Sequence, residues 1–160
     1  MHENEELIKA FYTAFQQLNW QVMGSCYDQN ASFSDPVFTD LKGSELVSMW
    51  HMLCSKADDF QLQFSDIRAD DRYGAACWVA TYTFSQTGRR VKNTIFAEFQ
   101  FEHGKIIRHS DHFSFWRWSS SALGPVGVLL GWSGWLRRRV QRQAMKALAA
   151  FERRHASEQA

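Results

Sequence analysis

The feature that most restricts the fold is a change in hydrophobic period at Asp59. From there to Trp116, apolar and polar residues alternate in four segments, FQLQF, CWVATYTF, VKNTIFAEFQF and KIIRHSDHFSFW. Alternation of this kind is typical of β-strands. The connecting segments DDRYG, SQTGR and EHGK each contain a glycine where a tight turn favours one, so the pattern predicts an antiparallel meander.

Several of the predicted strands carry apolar or aromatic residues on both faces. Trp78, Tyr82 and Phe84 share one face of the second strand, and Val79 lies on the other. We therefore expect a curved sheet that is covered on both sides. Aromatic residues make up 15% of the chain, which is more than a small domain needs for folding alone. This surplus favours a lined cavity, a buried interface or both.

Helical periodicity precedes the predicted sheet. The segment after HENEE predicts an amphipathic helix whose apolar face contains Leu7, Phe11, Phe15 and Leu18. A short second helix is expected over residues 20–27, followed by a strand in ASFSDPV that Pro36 ends. Ser44 is the expected N-cap of a third helix, whose apolar face contains Leu46, Trp50 and Leu53.

The chain changes character after Ala122. The segment LGPVGVLLGWSGWL is apolar and interrupted by glycines, and RRRVQRQAMKALAAFERR predicts a helix with an apolar stripe of Val140, Ala144, Leu148 and Phe151. No linker rich in proline, glycine or serine divides the 160 residues. We therefore predict an α+β fold in which residues 1–121 form one domain and residues 122–160 form a helical C-terminal extension.

Charge is distributed unevenly along the chain. Residues 1–136 contain 11 Lys and Arg against 15 Asp and Glu, a net −4, whereas residues 137–160 contain 7 against 2, a net +5. The acidic body argues against nucleic-acid binding. The apolar and basic tail fits either an anionic membrane surface or a strap that crosses a partner subunit or closes a pocket, and the strap is favoured.

The cysteines and the N-terminus bear on the cellular compartment. Cys26, Cys54 and Cys77 lie within apolar patterns and are expected to be buried free thiols rather than disulfides or zinc ligands. The N-terminal sequence MHENEELIKAF lacks the pattern of a signal peptide, and no stretch supplies the roughly 20 apolar residues of a membrane span. A cytoplasmic location is the expectation.

Two stretches carry a resemblance to a known superfamily. FYTAFQQLNWQVMGSCYDQNASFSDPV and HGKIIRHSDHFSFW, in the order of elements described above, resemble the NTF2-like superfamily over about residues 4–118. This superfamily includes ketosteroid isomerases, SnoaL-like polyketide cyclases and limonene-epoxide-hydrolase-like enzymes. The resemblance implies a cone in which three helices close a bent sheet over an apolar pocket, and a homodimer that pairs through the outer sheet face. The tail is similar to an extension found in some SnoaL-like bacterial proteins.

Asp35 in SFSDPV is the first candidate catalytic residue, because it matches the catalytic base of ketosteroid isomerases. A carboxylate in an apolar hollow has a raised proton affinity and suits proton transfer between carbons. The alternative is an Asx-turn residue before Pro36. The match is incomplete, because the two hydrogen-bond donors of those isomerases fall on Phe11 and Ala97. Tyr12 lies one residue away and would serve only if the first helix were rotated.

His109 and Asp111 are the second and third candidates. On a strand they share one face, and Asp111 matches a water-activating aspartate of limonene-epoxide-hydrolase-like enzymes. The arginine and aspartate that such enzymes require on an earlier strand are missing from WVATYTF. His109 and Asp111 therefore form either a general-base pair near neutral pH or a structural pair.

No metal or organic cofactor is predicted. His112 points away from His109 and Asp111 on a regular strand, so the three cannot ligate one ion. The sequence also lacks a phosphate-binding glycine loop, a nucleophile motif and a dinucleotide fingerprint.

The function predicted from these residues is binding of a small apolar molecule, and proton transfer of isomerase, cyclase or hydratase type is the candidate reaction. The expected pocket wall consists of Phe11, Tyr12, Phe15, Phe33, Trp50, His51 and Phe113. The alternative is a non-catalytic dimerisation or partner-docking module that uses the basic tail. An open cavity would favour the first hypothesis, and a cavity filled by Trp50 and Phe33 would favour the second.

Overall fold

A computed structural model describes residues 1–159 and shows six helices and six strands in that range. The helices are α1 (Glu3–Gln16), α2 (Trp20–Ser25), α3 (Ser44–Lys56), α4 (Phe115–Leu123), α5 (Pro125–Leu130) and α6 (Gly134–Gln159). The strands are β1 (Tyr27–Ser34), β2 (Leu41–Lys42), β3 (Gln61–Ala69), β4 (Tyr73–Phe84), β5 (Arg89–Glu102) and β6 (Lys105–His112). The predicted α+β class and the predicted C-terminal helix are therefore confirmed.

The six strands form one curved sheet in the order β2-β1-β6-β5-β4-β3. Strands β3 to β6 are the predicted antiparallel meander, and β1 lies parallel to β6. This parallel pairing brings the end of β1 next to the end of β6. The polar residues Asp35 and Asp111 are therefore neighbours although they are far apart in sequence.

Helices α1, α2 and α3 cover the concave face of the sheet. The acidic first turn of α1 stabilises its N-terminus, and the capping box joins His2 to Glu5. The main core lies between these helices and the sheet, and its largest fully buried side chains include Phe11, Tyr12 and Trp50. A second core cluster of Val91, Phe115, Trp118, Ala122 and Leu136 joins α4 and α6 to the sheet.

Strand β6 is shorter than the sequence pattern predicted. It ends at His112, whereas the alternation in KIIRHSDHFSFW predicted a strand to Trp116. The side chain of Ser114 accepts a hydrogen bond from the Arg117 N–H and caps α4, which begins at Phe115. The burial of Phe115, Trp118 and Ala122 follows a helical repeat, so this segment satisfies both periods and the cap decides between them.

Two local predictions were also wrong. Gly43, with φ +57°, is the N-cap of α3, and Ser44 is the first residue of the helix with no side-chain capping bond. Gly74 lies inside β4 rather than in a turn. A glycine is required at this position because the ring of Phe101 and the side chain of Ile8 leave no room for a Cβ.

The C-terminal extension packs on both the sheet and α3. Leu148 and Phe151 of α6 are buried in the main core, as the predicted apolar stripe requires. The predicted domain boundary at residue 121 falls inside α4, and it stays a prediction. Among residues 1–159, no helix is both long and apolar enough to cross a membrane.

Candidate functional site

A cavity of about 830 Å³ lies between the sheet and helices α3, α4 and α6. Its wall is mostly apolar and includes Phe15, Phe38, Met49, Trp50, Phe113 and Trp118. The extension contributes directly, because Leu136 and Val140 of α6 line the same cavity. The cavity is open: Trp50 forms part of its wall and does not fill it.

Three of the expected pocket residues lie behind this wall instead of on it. Phe11, Tyr12 and Phe33 are fully buried in the core and do not line the cavity. Because Tyr12 does not line the cavity, α1 is not rotated to bring its hydroxyl to the site, and this hydroxyl is buried without a hydrogen-bond partner among the described residues. Phe33 packs against Trp50 and against His109, with ring centroids 5.3 and 5.0 Å apart.

His51 does not line the cavity either. Its ring stacks on Trp20 at 3.8 Å and contacts Phe151 and His155 of α6. Burial and the nearby His155 lower the pKa of His51. We predicted His51 as a pocket residue because it follows Trp50. Adjacent residues of a helix point about 100° apart, however, and the side of α3 that carries His51 is covered by α6.

Asp35 lies on the cavity wall at the end of β1. Its Oδ1 accepts hydrogen bonds from the N–H groups of Val37 and Phe38 at 2.7 and 2.6 Å, which is the predicted Asx turn. Oδ2 has no hydrogen-bond partner in the described chain. Burial, together with the charge of Asp111, raises the pKa of Asp35 to about 7 even though the two N–H groups act in the opposite direction.

Asp111 lies beside Asp35 and is almost completely buried. Its Oδ1 is 2.9 Å from Nε2 of His109, and Nδ1 of His109 is 2.7 Å from the hydroxyl of Tyr27. His109 is fully buried and does not line the cavity. His109 therefore contacts Asp111 from the side that faces away from the cavity.

Hydrogen-bond directions assign the tautomer of His109. The Trp50 indole N–H can only donate, and it donates to the Tyr27 hydroxyl at 3.1 Å. The hydroxyl then has its own proton for Nδ1 of His109, which leaves the ring proton on Nε2 to be donated to Asp111. This assignment gives each hydrogen bond from Trp50 to Asp111 one donor and one acceptor.

Tyr82 of β4 places a hydroxyl on the cavity wall. Its oxygen accepts the indole N–H of Trp118 at 2.9 Å, so its own proton is free for another acceptor. Burial raises the pKa of Tyr82, and the charge of Asp35 raises it further. The hydroxyl therefore stays protonated as a donor close to Asp35.

Asn93 of β5 is buried, and its amide lines the cavity. The side chain makes no hydrogen bond to any described residue, although an amide offers two donors and an oxygen acceptor. A buried polar group without a protein partner at a cavity wall is typical of a ligand contact.

Tyr82 and Asn93 were not predicted as site residues. The inward alternation Val91, Asn93, Ile95, Ala97 does place one polar residue of a type depleted in strands among apolar ones. That signal was present in the sequence. Tyr82 gave no comparable signal, because an aromatic residue on a strand is ordinary.

No metal site accompanies these residues. His112 faces outward and pairs with Glu98 at 3.1 Å, as its position on the strand predicted. Within residues 1–159, no group of three His, Cys, Asp or Glu side chains could hold a metal ion.

Comparisons with known proteins show which family and which solved structures this chain is similar to. The family model described as a SnoaL-like domain matches residues 8–109. No curated protein sequence matches the chain. The match runs from within α1 to within β6, and it leaves out Asp111 and the helices α4 and α6, which also line the cavity.

Solved structures with the same fold are numerous. An LEH-like epoxide hydrolase from M. tuberculosis is 16% identical, with a TM-score of 0.64 over 80% of this chain and 96% of that one. A candidate polyketide cyclase from Xanthomonas campestris is 18% identical, with a TM-score of 0.63 over 74% and 96%. A protein with a ketosteroid isomerase-like fold from Catenulispora acidiphila is 12% identical, with a TM-score of 0.65 over 75% and 94%. These similarities confirm the predicted NTF2-like cone.

Proposed function

This chain belongs to the SnoaL-like domain family, and we propose that it binds a small, mostly apolar molecule in its cavity and catalyses proton transfer on it. The reaction class is that of an isomerase, a cyclase or a hydratase acting next to a carbonyl or phenol oxygen. The observation that carries the proposal is the Asp35 carboxyl, which lies on the wall of an apolar cavity and whose pKa is raised to about 7.

Asp35 suits general base and general acid catalysis near neutral pH. A carboxyl with a pKa of about 7 is present in both protonation states there, so it can take a proton and return it. Its Oδ1 is held by two backbone N–H groups, which fixes the direction of Oδ2. A fixed carboxylate loses little entropy when it reaches the reacting carbon.

Tyr82 completes the proposed chemistry. When Oδ2 of Asp35 removes a proton from a carbon next to a carbonyl, the electron pair of the C–H bond moves to the carbonyl oxygen. The free proton of the Tyr82 hydroxyl can be donated to that oxygen as its negative charge develops. Return of the proton from Asp35 to another carbon of the substrate completes an isomerisation.

Asp111 and His109 are proposed as positioning residues. The charge of Asp111 adds to the effect of burial in raising the pKa of Asp35, and the hydrogen bonds from Trp50 through Tyr27 and His109 hold Asp111 in place. This role differs from the predicted general-base role of His109, because His109 is fully buried and does not line the cavity. Asn93 is proposed to orient a polar group of the ligand.

The similar structures support this class of function without selecting one reaction. One is an epoxide hydrolase and another is a candidate polyketide cyclase, so the same cone holds enzymes of different chemistry. The alternative, a non-catalytic docking module, predicts a filled hollow. The open volume of about 830 Å³ and the Asn93 amide, which makes no hydrogen bond within the described part of the chain, favour the enzyme or carrier.

Ligand binding followed by proton exchange tests the proposal. Apolar ketones, phenols and polycyclic molecules are added to the protein, and binding is measured as a thermal shift. Bound ketones are then kept in D₂O, and exchange of the proton next to the carbonyl is followed by NMR. We expect Asp35→Asn to slow exchange at least about a hundredfold, while Asp40→Asn, at an exposed carboxylate nearby, leaves it unchanged.

The outcomes separate the hypotheses. Binding without exchange in the unaltered protein would contradict catalysis and leave a carrier. No binding of any compound to a folded protein would contradict both and favour the docking module. Exchange that is equally fast in Asp35→Asn would exclude Asp35 as the base.

A further inference from the structure

The outer side of the C-terminal extension carries an exposed apolar and cationic surface. We call it the tail surface and define it by Leu129, Trp132, Trp135, Arg138, Arg139 and Arg142, all of which are exposed. Trp132 is 77% exposed, Leu129 68% and Trp135 51%. Single exposed apolar residues are ordinary, but large ones that cluster within one short stretch indicate an interaction surface.

The apolar and cationic members of the tail surface lie side by side. Trp135, Arg138, Arg139 and Arg142 are spaced along one face of α6. The guanidinium of Arg139 lies 5.7 Å from the ring centroid of Trp135. The indole N–H of Trp132 donates to the Leu129 carbonyl at 2.7 Å, so this ring has its polar atom satisfied and its apolar faces free.

The backbone of the extension keeps these side chains outward. A Cβ added at Gly127 would collide with the carbonyl of Ser119, and one at Gly131 would collide with the Ser119 hydroxyl. These glycines let α5 pack directly against α4, which buries the inner face of α5. Because that face is occupied, Leu129 and its neighbours on the opposite face cannot turn inward.

We propose that the tail surface binds an anionic lipid bilayer. Leu129, Trp132 and Trp135 lie at the boundary between headgroups and acyl chains, and the three arginines contact lipid phosphates. Tryptophan and aliphatic residues beside arginine are the composition of proteins that rest on such a boundary. This proposal is independent of the proton-transfer chemistry.

Charge complementarity favours a bilayer over a second copy of this chain. In a twofold contact the same patch lies on both subunits, so Arg138, Arg139 and Arg142 would meet a patch that also carries three arginines and no acidic residue. Unpaired like charges in an interface are destabilising. Anionic headgroups instead offer phosphates to each arginine, in a region where residues 137–160 carry a net +5.

Docking of the tail surface would place the cavity beside the lipid. Val126 and Arg139 are exposed and also line the cavity, so the tail surface is continuous with the cavity rim. The inner side of the same helix contributes Leu136 and Val140 to the cavity wall. An apolar ligand dissolved in the bilayer would then have a short path to the site.

Vesicle co-sedimentation of the full-length protein tests the proposal. The vesicles are phosphatidylcholine alone and an equal mixture of phosphatidylcholine and phosphatidylglycerol. We expect binding to the mixed vesicles, little binding to the neutral ones, and a loss of roughly fivefold in partitioning for each arginine removed in Arg138→Gln and Arg142→Gln. Arg153→Gln with Arg154→Gln removes the same charge at the far end of α6 and is the matched control.

A second pair of variants tests the apolar part. Leu129→Ser with Trp132→Ser should abolish sedimentation with mixed vesicles, whereas Tyr73→Ser, at a site that is 58% exposed on β4, should not. Equal thermal unfolding of all variants shows that folding is intact. The proposal is overturned if the protein does not sediment with mixed vesicles, or if the tail variants sediment as well as their controls. Self-association that is lost in the tail variants, with no vesicle binding, would assign the surface to a second copy.

Discussion

Asp35 and Asp111 are neighbours on the cavity wall, because β1 and β6 run parallel and pair Ser34 with Ser110. Two buried carboxyls this close cannot both be ionised without cost. Asp111 is stabilised by the Nε2–H of His109, whereas Oδ2 of Asp35 has no hydrogen-bond partner among the residues that the structure describes. Burial, together with the charge of Asp111, raises the pKa of Asp35 to about 7.

Replacement of Asp111 by Asn should lower the pKa of Asp35. The substitution removes the negative charge and keeps an oxygen that can accept the Nε2–H of His109. Burial remains, so the pKa should fall only part of the way toward the ordinary value. Titration of the Asp35 carboxyl by NMR in the variant measures the change. A pKa of Asp35 that is unchanged would show that Asp111 does not act on it.

Replacement of Asp35 by Asn should stabilise the protein at alkaline pH. The folded pKa of about 7 lies above the unfolded value of roughly 3.9, so the folded state binds the proton more tightly and the native protein loses stability as pH rises between these values. Asn carries no charge and keeps an Oδ1 acceptor for Val37 and Phe38. Above pH 7 the increase in the free energy of unfolding has an upper limit of about 4 kcal/mol. The actual increase should be smaller, because part of the Asp35 side chain is open to the cavity.

Urea unfolding across the pH range checks this prediction. The difference in free energy of unfolding between Asp35→Asn and the unaltered protein should grow from about pH 4 to about pH 7 and then level off. Asp40→Asn, whose side chain is exposed, should show no such growth. A difference that is the same at every pH would mean that the carboxyl of Asp35 is not responsible.

Replacement of Tyr27 by Phe should destabilise the protein by about 2 kcal/mol. The Tyr27 hydroxyl accepts from the indole of Trp50 and donates to His109, so its removal leaves two buried polar atoms without partners. Tyr73→Phe, at an exposed tyrosine, is the control and should change the free energy of unfolding little. If both variants have the same free energy of unfolding in urea, the hydrogen bonds of the Tyr27 hydroxyl to Trp50 and His109 do not stabilise the protein.

The outer sheet face should form a homodimer. Phe96 is 40% exposed at the centre of this face and lies opposite Cys77 on β4. Light scattering should give twice the mass of the 18.6 kDa chain, and Phe96→Glu should give the monomer because it places a charge in an apolar contact. A monomer before substitution would contradict the prediction.

Most of the fold could be predicted from the sequence because its strands alternate and its turns contain glycine. The prediction failed where one segment satisfied two periods, since FSFWRW alternates as a strand and also spaces Phe115, Trp118 and Ala122 as a helix. Only the Ser114 cap distinguishes them. The spacing of hydrophobic residues alone therefore does not determine where β6 ends and α4 begins.

The candidate site was predicted in part. Asp35 and Asp111 could be found from their motifs, and their positions on the cavity wall depend on the β1–β6 register. The assignments of Phe11, Tyr12, Phe33 and His51 to the wall required the depth of each side chain, which three-dimensional packing determines. Helix α6 contributes to the same wall, and nothing in the sequence fixes the side on which it packs.

The most direct measurement is the titration of the Asp35 carboxyl itself. Asp-labelled protein is followed by NMR from acidic to alkaline pH, and Asp35→Asn assigns the signal by its disappearance. The account predicts a carboxyl that titrates at about pH 7 in the ligand-free protein. Titration in the ordinary range, at roughly pH 4, would contradict it, because Asp35 would then be fully ionised at neutral pH and too weak a base for the proposed reaction.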